Sequence, residues 1–373
     1  MTELHLREFG STDALRSAAG AWDDLWFRSD VHAPTVRALC VAHWVAQFAP
    51  AATFRALSVE GDDGRLLAAL PLVGCRMKRI VRVGMLPAND WTASGDLLLD
   101  PACDTAAVLD LLVAGLRRLP WKLLLLRGID GESARWMAFR EALRRAGLSD
   151  HFKPVTQIPQ VEIGDDWDRY LQSLKGDHRR SRLRYARKLD EAGGATLRVE
   201  TPGPDEVEEL LRRGFEVEDR SWKGAAGTSV LRTAGMFDHY LAEARQIAHW
   251  GQLELVFLEH RGRPIAFDYG WRSRGTHFTP KLGYDDAFRR FGPGQTLLMH
   301  LLERLHADAD CKLLDFWGPL ADWHNGWATR TYQTGRLAVV VSAGISPVLF
   351  RTFVRWQPRV ARIRERVTAD TSS

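Results

Sequence analysis

The run RRFGPGQTLLMHLLERL, residues 289–305, sets two arginines and two glycines directly before an apolar repeat. Leu298, Leu301, Leu302 and Leu305 keep helical spacing and predict a helix from about Gln295 to Ala307. A helix start leaves backbone N–H groups unbonded and carries about half a positive charge, which suits a phosphate. In the order R-x-x-G-x-G, Gly292, Gly294, Gln295 and Thr296 are the candidates to offer N–H groups. Arg289 or Arg290 would add a charge-assisted bond of roughly 1.5–3 kcal/mol. Pro293 brings no N–H. The competing reading is a Gly-Pro-Gly turn that only starts a helix.

Carboxylates in apolar surroundings are the second chemical signal. Asp268 interrupts AFDYGW, and Asp315 stands in LLDFWG, read as mid-strand. Aspartate is disfavoured in strands, so each position needs a reason: a base, a buried ion pair or a wet face. The histidines show no metal-ligand spacing, and no metal is expected.

The elements that must position these residues recur. GRLLA at 64–68 returns as GRPIA at 262–266, and WKLLLLRG at 121–128 as CKLLDFWG at 311–318. Arg28–Ser29 and Arg220–Ser221 keep nearly the same offset. Matches in one order favour a duplicated unit. In each half a strand, a Gly-Arg turn and a second strand precede a further strand, an amphipathic helix and a short apolar strand. The expected fold class is α/β (α+β), a mixed sheet flanked by helices in each half. The expected boundary lies near HFKPVTQIPQ (151–160), giving domains 1–152 and 153–345 and a basic tail, 346–373.

Composition bounds the rest. The chain has 373 residues, 45% hydrophobic and 26% charged, with a net charge of +4. That mild bias suits an anionic ligand without implying nucleic acid. The four cysteines stand far apart, as reduced thiols of a cytoplasmic protein would. The start MTELHLREFG does not read as a signal peptide, and no apolar run reaches membrane-spanning length.

The second half resembles GNAT acyltransferases, specifically acetyltransferase-like proteins of the cellulose-biosynthesis branch, relatives of Fem-type peptidyltransferases. The resemblance rests on WDRYLQSLKGDHRRSRLRYARKLDEAGG (167–194), EDRSWKGAAGT (218–228), GRPIAFDYG (262–270), YDDAFRRFGPGQTLLMHLLERL (284–305) and LLDFWGPLADWHNGWA (313–328). It covers about 160–345 well and the first half loosely. It implies two GNAT folds in tandem, with the loop at 289–296 gripping the pyrophosphate of acetyl-CoA or another acyl-CoA. The first half shows no R-x-x-G-x-G, which implies a degenerate donor site there, with the first domain walling the acceptor cleft or adding stability.

Acyl transfer to an amine needs an unprotonated nucleophile, and deprotonating a lysine-like amine at pH 7 costs roughly 4–5 kcal/mol. A carboxylate base would help, and Tyr or Ser would protonate the leaving thiolate. Tyr284, Asp315, Asp268 and Glu218 are the catalytic candidates. Trp222, Lys223, Lys281, Trp317, His324 and Trp327 are the candidates to line the acceptor site. The acceptor would be an amine on a small molecule, a saccharide or a peptide.

Two basic segments remain. Lys175, Arg179, Arg180, Arg182, Arg184, Arg187 and Lys188 crowd one predicted helix, as a solvated face or a contact for an anionic donor, tRNA, polysaccharide or lipid surface. SPVLFRTFVRWQPRVARIRERV is read either as packing across the domain or as peripheral membrane contact. Two other readings stay open: an aminoacyl-tRNA-dependent Fem-type transferase, against which the missing coiled-coil arm counts, and a non-catalytic GNAT pair that binds an assembly partner.

Overall fold

The computed structural model describes residues 3–77, 81–320, 324 and 326–341. They divide into two compact units. One holds residues 1–31, 44–155 and 334 onward, and the other 32–43 and 156–333.

In the first unit the chain runs β1 (His5–Phe9), α1 (Thr12–Ser17), α2 (Ala19–Arg28), α3 (Ala38–Phe48), β2 (Phe54–Glu60), β3 (Leu66–Met77), β4 (Val81–Met85), β5 (Leu98–Leu99), α4 (Thr105–Leu116), β6 (Leu123–Asp130), α5 (Ala134–Arg145) and β7 (Ser149–Glu162). Residues 38–43 of α3 and 156–162 of β7 count with the second unit. That unit continues through α6 (Trp167–Ser173), α7 (Gly176–Glu191), β8 (Thr196–Glu200), α8 (Val207–Asp219), α9 (Trp222–Ala225) and α10 (Met236–His249). Then come β9 (Leu253–His260), β10 (Arg263–Ser273), β11 (Thr276–Tyr284), a 3-10 turn (Asp286–Phe291), α11 (Pro293–His306), β12 (Leu313–Asp315) and β13 (Arg330–Val340).

Each unit is a mixed sheet flanked by helices. The first has the strand order β1-β2-β3-β4-β6-β13, and the second β8-β9-β10-β11-β12-β7. Both contain a hairpin, a third strand and a helix that returns to a parallel strand, so the faint sequence repeat has a structural counterpart. The turns of the second unit are tight. Arg261 and Gly262 (φ 52° and 76°) join β9 to β10, and Arg274 and Gly275 (φ 51° and 75°) join β10 to β11. Two successive residues with positive φ make the turn that matches strand twist.

The chain passes from the first unit to the second between Val155 and Thr156, inside the expected stretch 151–160, and does so within the 14-residue strand β7. Two expectations need correction. The last described strand, at Thr334–Val340, pairs with β6 and so belongs to the first unit. Residues 32–43 lie in the second unit, where the Arg37 guanidinium sits 3.5 Å from the Trp250 ring and His43 stacks on His239. The basic tail expected at 346–373 lies outside the described residues. Among the described residues, no helix is long and apolar enough to cross a membrane.

Sequence periodicity becomes core directly in α11. Leu298, Leu301, Leu302 and Leu305 are all buried, packed with Val256, Leu258 and Ala266 of the sheet. Leu298→Ala is expected to cost about 2–5 kcal/mol through the lost burial and the cavity left behind. Urea denaturation at equilibrium measures it; a loss below 1 kcal/mol would mean that this helix does not anchor the unit.

Candidate functional site

The site is built where β11 and β12 part. They run parallel for only three residue pairs, Thr276–Leu313, His277–Leu314 and Phe278–Asp315. Beyond Phe278, β11 continues to Tyr284 beside β10, whereas β12 ends at Asp315. A bulge marks the divergence, because the register with β10 slips between Tyr269–Lys281 and Trp271–Phe278. Thr279 and Pro280 together face Gly270, and Pro280 offers no N–H to a ladder.

A buried charge chain underlies the bulge. His277 has no exposed surface; one ring nitrogen lies 2.8 Å from Glu254 and the other 3.3 Å from Asp268. Thr279 donates its hydroxyl to the other oxygen of Asp268. Burial alone would push the His277 imidazole down, but hydrogen bonds and charge from Asp268 and Glu254 outweigh it and hold the group at about 9. Burial raises Asp268. Glu254 is also raised by burial, but His277, Arg272 and Arg304 bring it below its ordinary value. Gly270 makes the arrangement fit: a Cβ there would stand 3.0 Å from His277 Nε2 and 2.9 Å from the Phe278 carbonyl oxygen.

The other sheet face carries a second polar cluster. Lys281, opposite Tyr269, points its ammonium over the Tyr240 ring at 5.1 Å. Burial pushes Lys281 down to about 8, against the attraction of Glu218 and Glu243 and aided by the charge of Lys223. Glu218, at the end of α8, accepts from Lys223 Nζ at 2.8 Å and from the Val230 N–H at 3.1 Å. Lys223 Nζ also donates to the Leu282 carbonyl of β11 at 3.3 Å. Glu243 accepts from the Tyr269 hydroxyl at 3.0 Å. Trp222, next to Lys223, is 56% exposed.

Past β11 the chain enters the arginine–glycine loop. Asp285 is buried and held by Arg220 at 2.9 Å and Arg263 at 2.6 Å. Gly292 takes a left-handed conformation (φ 56°) as the N-cap of α11, with no side-chain cap. Its N–H goes to Arg289, and the N–H groups of Gln295 and Thr296 both return to the Gly292 carbonyl. Of the four expected donors, Gly294 alone has no backbone acceptor among the described residues. The Gln295 side chain accepts from Trp327 Nε1 at 2.8 Å, and the Thr296 hydroxyl donates to the Gly292 carbonyl at 3.2 Å. Arg289 pairs with Asp286, and both Arg289 and Arg290 are exposed. Tyr185 of α7 lies against Gly292, where a Cβ would meet its ring at 2.8 Å.

The structure separates the sequence candidates. Glu218, Lys223 and Lys281 gather on one face of β11 beyond the bulge, whereas Tyr284, three residues past Lys281, faces the other side, beside Gly294 of α11. Asp268 is spent in the His277 chain and has no exposed surface. Asp315 ends its strand rather than standing within it, and accepts from Gln160 and from the Trp317 N–H, each at 2.7 Å. Burial raises Asp315 to about 6. It fastens Trp317, whose positive φ of 49° is uncommon outside glycine. Trp317 is half-buried against Phe278 and Trp271.

His324 and Trp327 are buried in the second unit, with the His324 ring 4.5 Å from Phe316 and burial lowering it to about 4. They serve the core rather than an open acceptor surface. Sequence reasoning missed Glu243, Tyr269, Glu254, His277 and Tyr185. Their roles depend on strand register and helix packing, which no local motif spells out.

The first unit builds the matching place differently. β4 and β6 share the pair Gly84–Leu124, and the buried Trp121, just before β6, packs onto Gly74 and Gly84 of β3 and β4. The N-terminus of α4 is capped by the carboxylate of Asp104, which accepts from the Ala107 N–H at 3.1 Å. A negative group thus stands where an anion would have to bind.

Residues 176–325 match the family model described as an acetyltransferase (GNAT) domain. No curated protein matches the chain. The structure of FemX is similar at a TM-score of 0.60 and 10% identity, covering 89% of this chain and 96% of that one. The C-terminal domain of a putative lysylphosphatidylglycerol synthetase from Agrobacterium fabrum gives 0.52 and 11%, covering 92% and 97%. L-PGS from Bacillus licheniformis gives 0.52 and 13%, covering 89% and 95%. At these identities the likeness is one of fold, a mixed GNAT-like α/β architecture.

His277→Gln is expected to cost about 3–5 kcal/mol at pH 6, because it leaves Glu254 and Asp268 buried without their cation. The folded-state value of about 9 lies above the ordinary 6.5, so this stabilisation is complete below 6.5 and fades as pH rises through 9. Urea denaturation of both proteins from pH 6 to 10 should show the gap narrowing; a constant gap would mean that the ring is buried neutral.

Proposed function

We propose that the second unit is an N-acyltransferase that moves an acyl group, by default acetyl, from a coenzyme A thioester to an amine by direct attack. One observation carries the reading: β11 and β12 part beyond the bulge, and the open strand leads to a helix start with no side-chain cap. An elongated thioester fits between such strands, with its phosphates toward Gly294, Arg289 and Arg290. The GNAT domain match at 176–325 supports the same reading. The acceptor would be a sugar, peptide or metabolite amine. The Asp104 cap supports confining the donor to the second unit.

In this reading the amine nitrogen attacks the thioester carbonyl carbon. The C–N bond forms, the C–S bond breaks, and the sulfur leaves as a thiolate that takes up a proton. Lys281, held at about 8, has a neutral fraction near neutral pH and receives the proton from the acceptor ammonium. Glu218 and Glu243 steady the ammonium so formed. The phenol of Tyr284, at the loop end of β11, is the proton source for the thiolate. Trp222 and Trp317 offer aromatic surface to the acceptor.

A second reading, an aminoacyl-tRNA donor, is favoured by one contact. The basic helix α7 lies against the donor loop through Tyr185.

Acetyl-CoA at 100 times its dissociation constant should raise stability by about 2.7 kcal/mol in a thermal-shift titration. Gly294→Asp is expected to abolish that gain with the fold retained; equal affinity in the variant would remove the loop from the donor site. With an accepting amine in hand, the rate should rise with pH through about 8, since neutral Lys281 is the active form. Lys281→Met should slow transfer about 100-fold and erase that inflection. An unchanged pH profile would assign the proton to another group.

A further inference from the structure

The exposed face of α7 has no part in the chemistry above. Arg184, Arg187 and Lys188 are exposed, and among the described residues Arg180 has only Asp177, itself 96% exposed, as an ion-pair partner. Leu183 stands among them with 45% of its surface exposed. On a helix, Arg180, Leu183, Arg184 and Arg187 share one side. The helix carrying this stripe meets the donor loop through Tyr185, which lies on Gly292 and has the Arg184 guanidinium 5.8 Å from its ring. Arg289 and Arg290 extend the positive surface on the loop itself, Arg290 resting 4.6 Å from the Phe291 ring.

Such a surface fits a polyanion, and Leu183 discriminates among polyanions. Against a phosphate backbone a leucine contributes little, since nucleic-acid surfaces are met by cations and hydrogen bonds. Against an acidic amphipathic helix it is buried at the centre of a ring of ion pairs, the usual layout of an apolar anchor within a polar rim. The loop agrees with a protein-borne donor. A phosphopantetheine arm presents one phosphodiester, and the loop offers one N–H without a backbone acceptor, that of Gly294.

We propose that the α7 stripe docks an acidic helix of a carrier protein that delivers the acyl group as a phosphopantetheine thioester. This rests on the transferase reading above and specifies its donor. The amine attacks the carrier-bound thioester; the C–N bond forms as the C–S bond breaks, the arm thiol regains a proton, and the carrier leaves with its arm free.

The test is a binding titration by fluorescence anisotropy with four probes: acetylated holo acyl carrier protein, the same carrier without its arm, acetyl-CoA and bulk tRNA. Wild type is expected to bind the acetylated carrier, losing affinity as salt rises from low to high. Leu183→Ala and the pair Arg184→Glu with Arg187→Glu should each weaken carrier binding at least tenfold. Acetyl-CoA binding should be unaffected, and because these positions are exposed, circular dichroism should show an unchanged fold. Acetyl-CoA binding and turnover without carrier binding would overturn the proposal and leave the transferase reading standing. Binding of tRNA that responds to the arginines but not to Leu183 would overturn it in favour of an RNA partner. Failure of both acetyl-CoA and carrier to bind would overturn the transferase reading itself.

Discussion

Beneath the bulge in β11, three groups that would each be costly to bury alone are buried together. An unpaired ion in a protein interior costs several kcal/mol, and partners with filled hydrogen bonds offset much of that. Glu254, His277 and Asp268 come from three adjacent strands, so the chain ties β9, β10 and β11 at one level. Thr279 extends it to the bulged residue itself. The strand bends where this network sits, and the bend lets β11 leave β12. The open edge, the placement of Lys281 and the approach to the α11 N-terminus all follow from that departure.

The two units show how little separates a place for an anion from its opposite. Both turn a helix back onto a parallel strand after a hairpin and a third strand. In one the helix begins at a left-handed glycine with no capping side chain; in the other it begins at Asp104. A carboxylate at that position satisfies the helix dipole and excludes a phosphate from it.

Much of the fold could be read from residue order. Leucine spacing located α11, and the recurrence of GRLLA as GRPIA located matching hairpins, because both signals are local. The division of the chain was legible in part. The change of unit falls at 155/156, between the prolines at 154 and 159, although both sit in β7. Segment 32–43 packs with residues two hundred positions away, through contacts such as His43 on His239.

The site shows the same limit. Asp268 and Asp315 were conspicuous because carboxylates are rare in apolar strands, and both are used internally. Asp268 holds the bulge and Asp315 fastens a turn. Lys281 was a candidate to line the acceptor site, but its lowered pKa carried no sequence signal, because its environment is assembled from α8, α10 and β11.

An uncapped helix start has a cost that the resting protein retains. Without a side-chain acceptor in its first turn, α11 lacks roughly 1 kcal/mol that Asp104 gives α4. That turn is therefore the end of α11 most prone to local opening, on the scale that amide hydrogen exchange reports. A bound phosphate would act as the missing cap. Donor affinity and the rigidity of the helix are then one thermodynamic quantity seen from two sides, and release of the spent thiol would restore the frayed end.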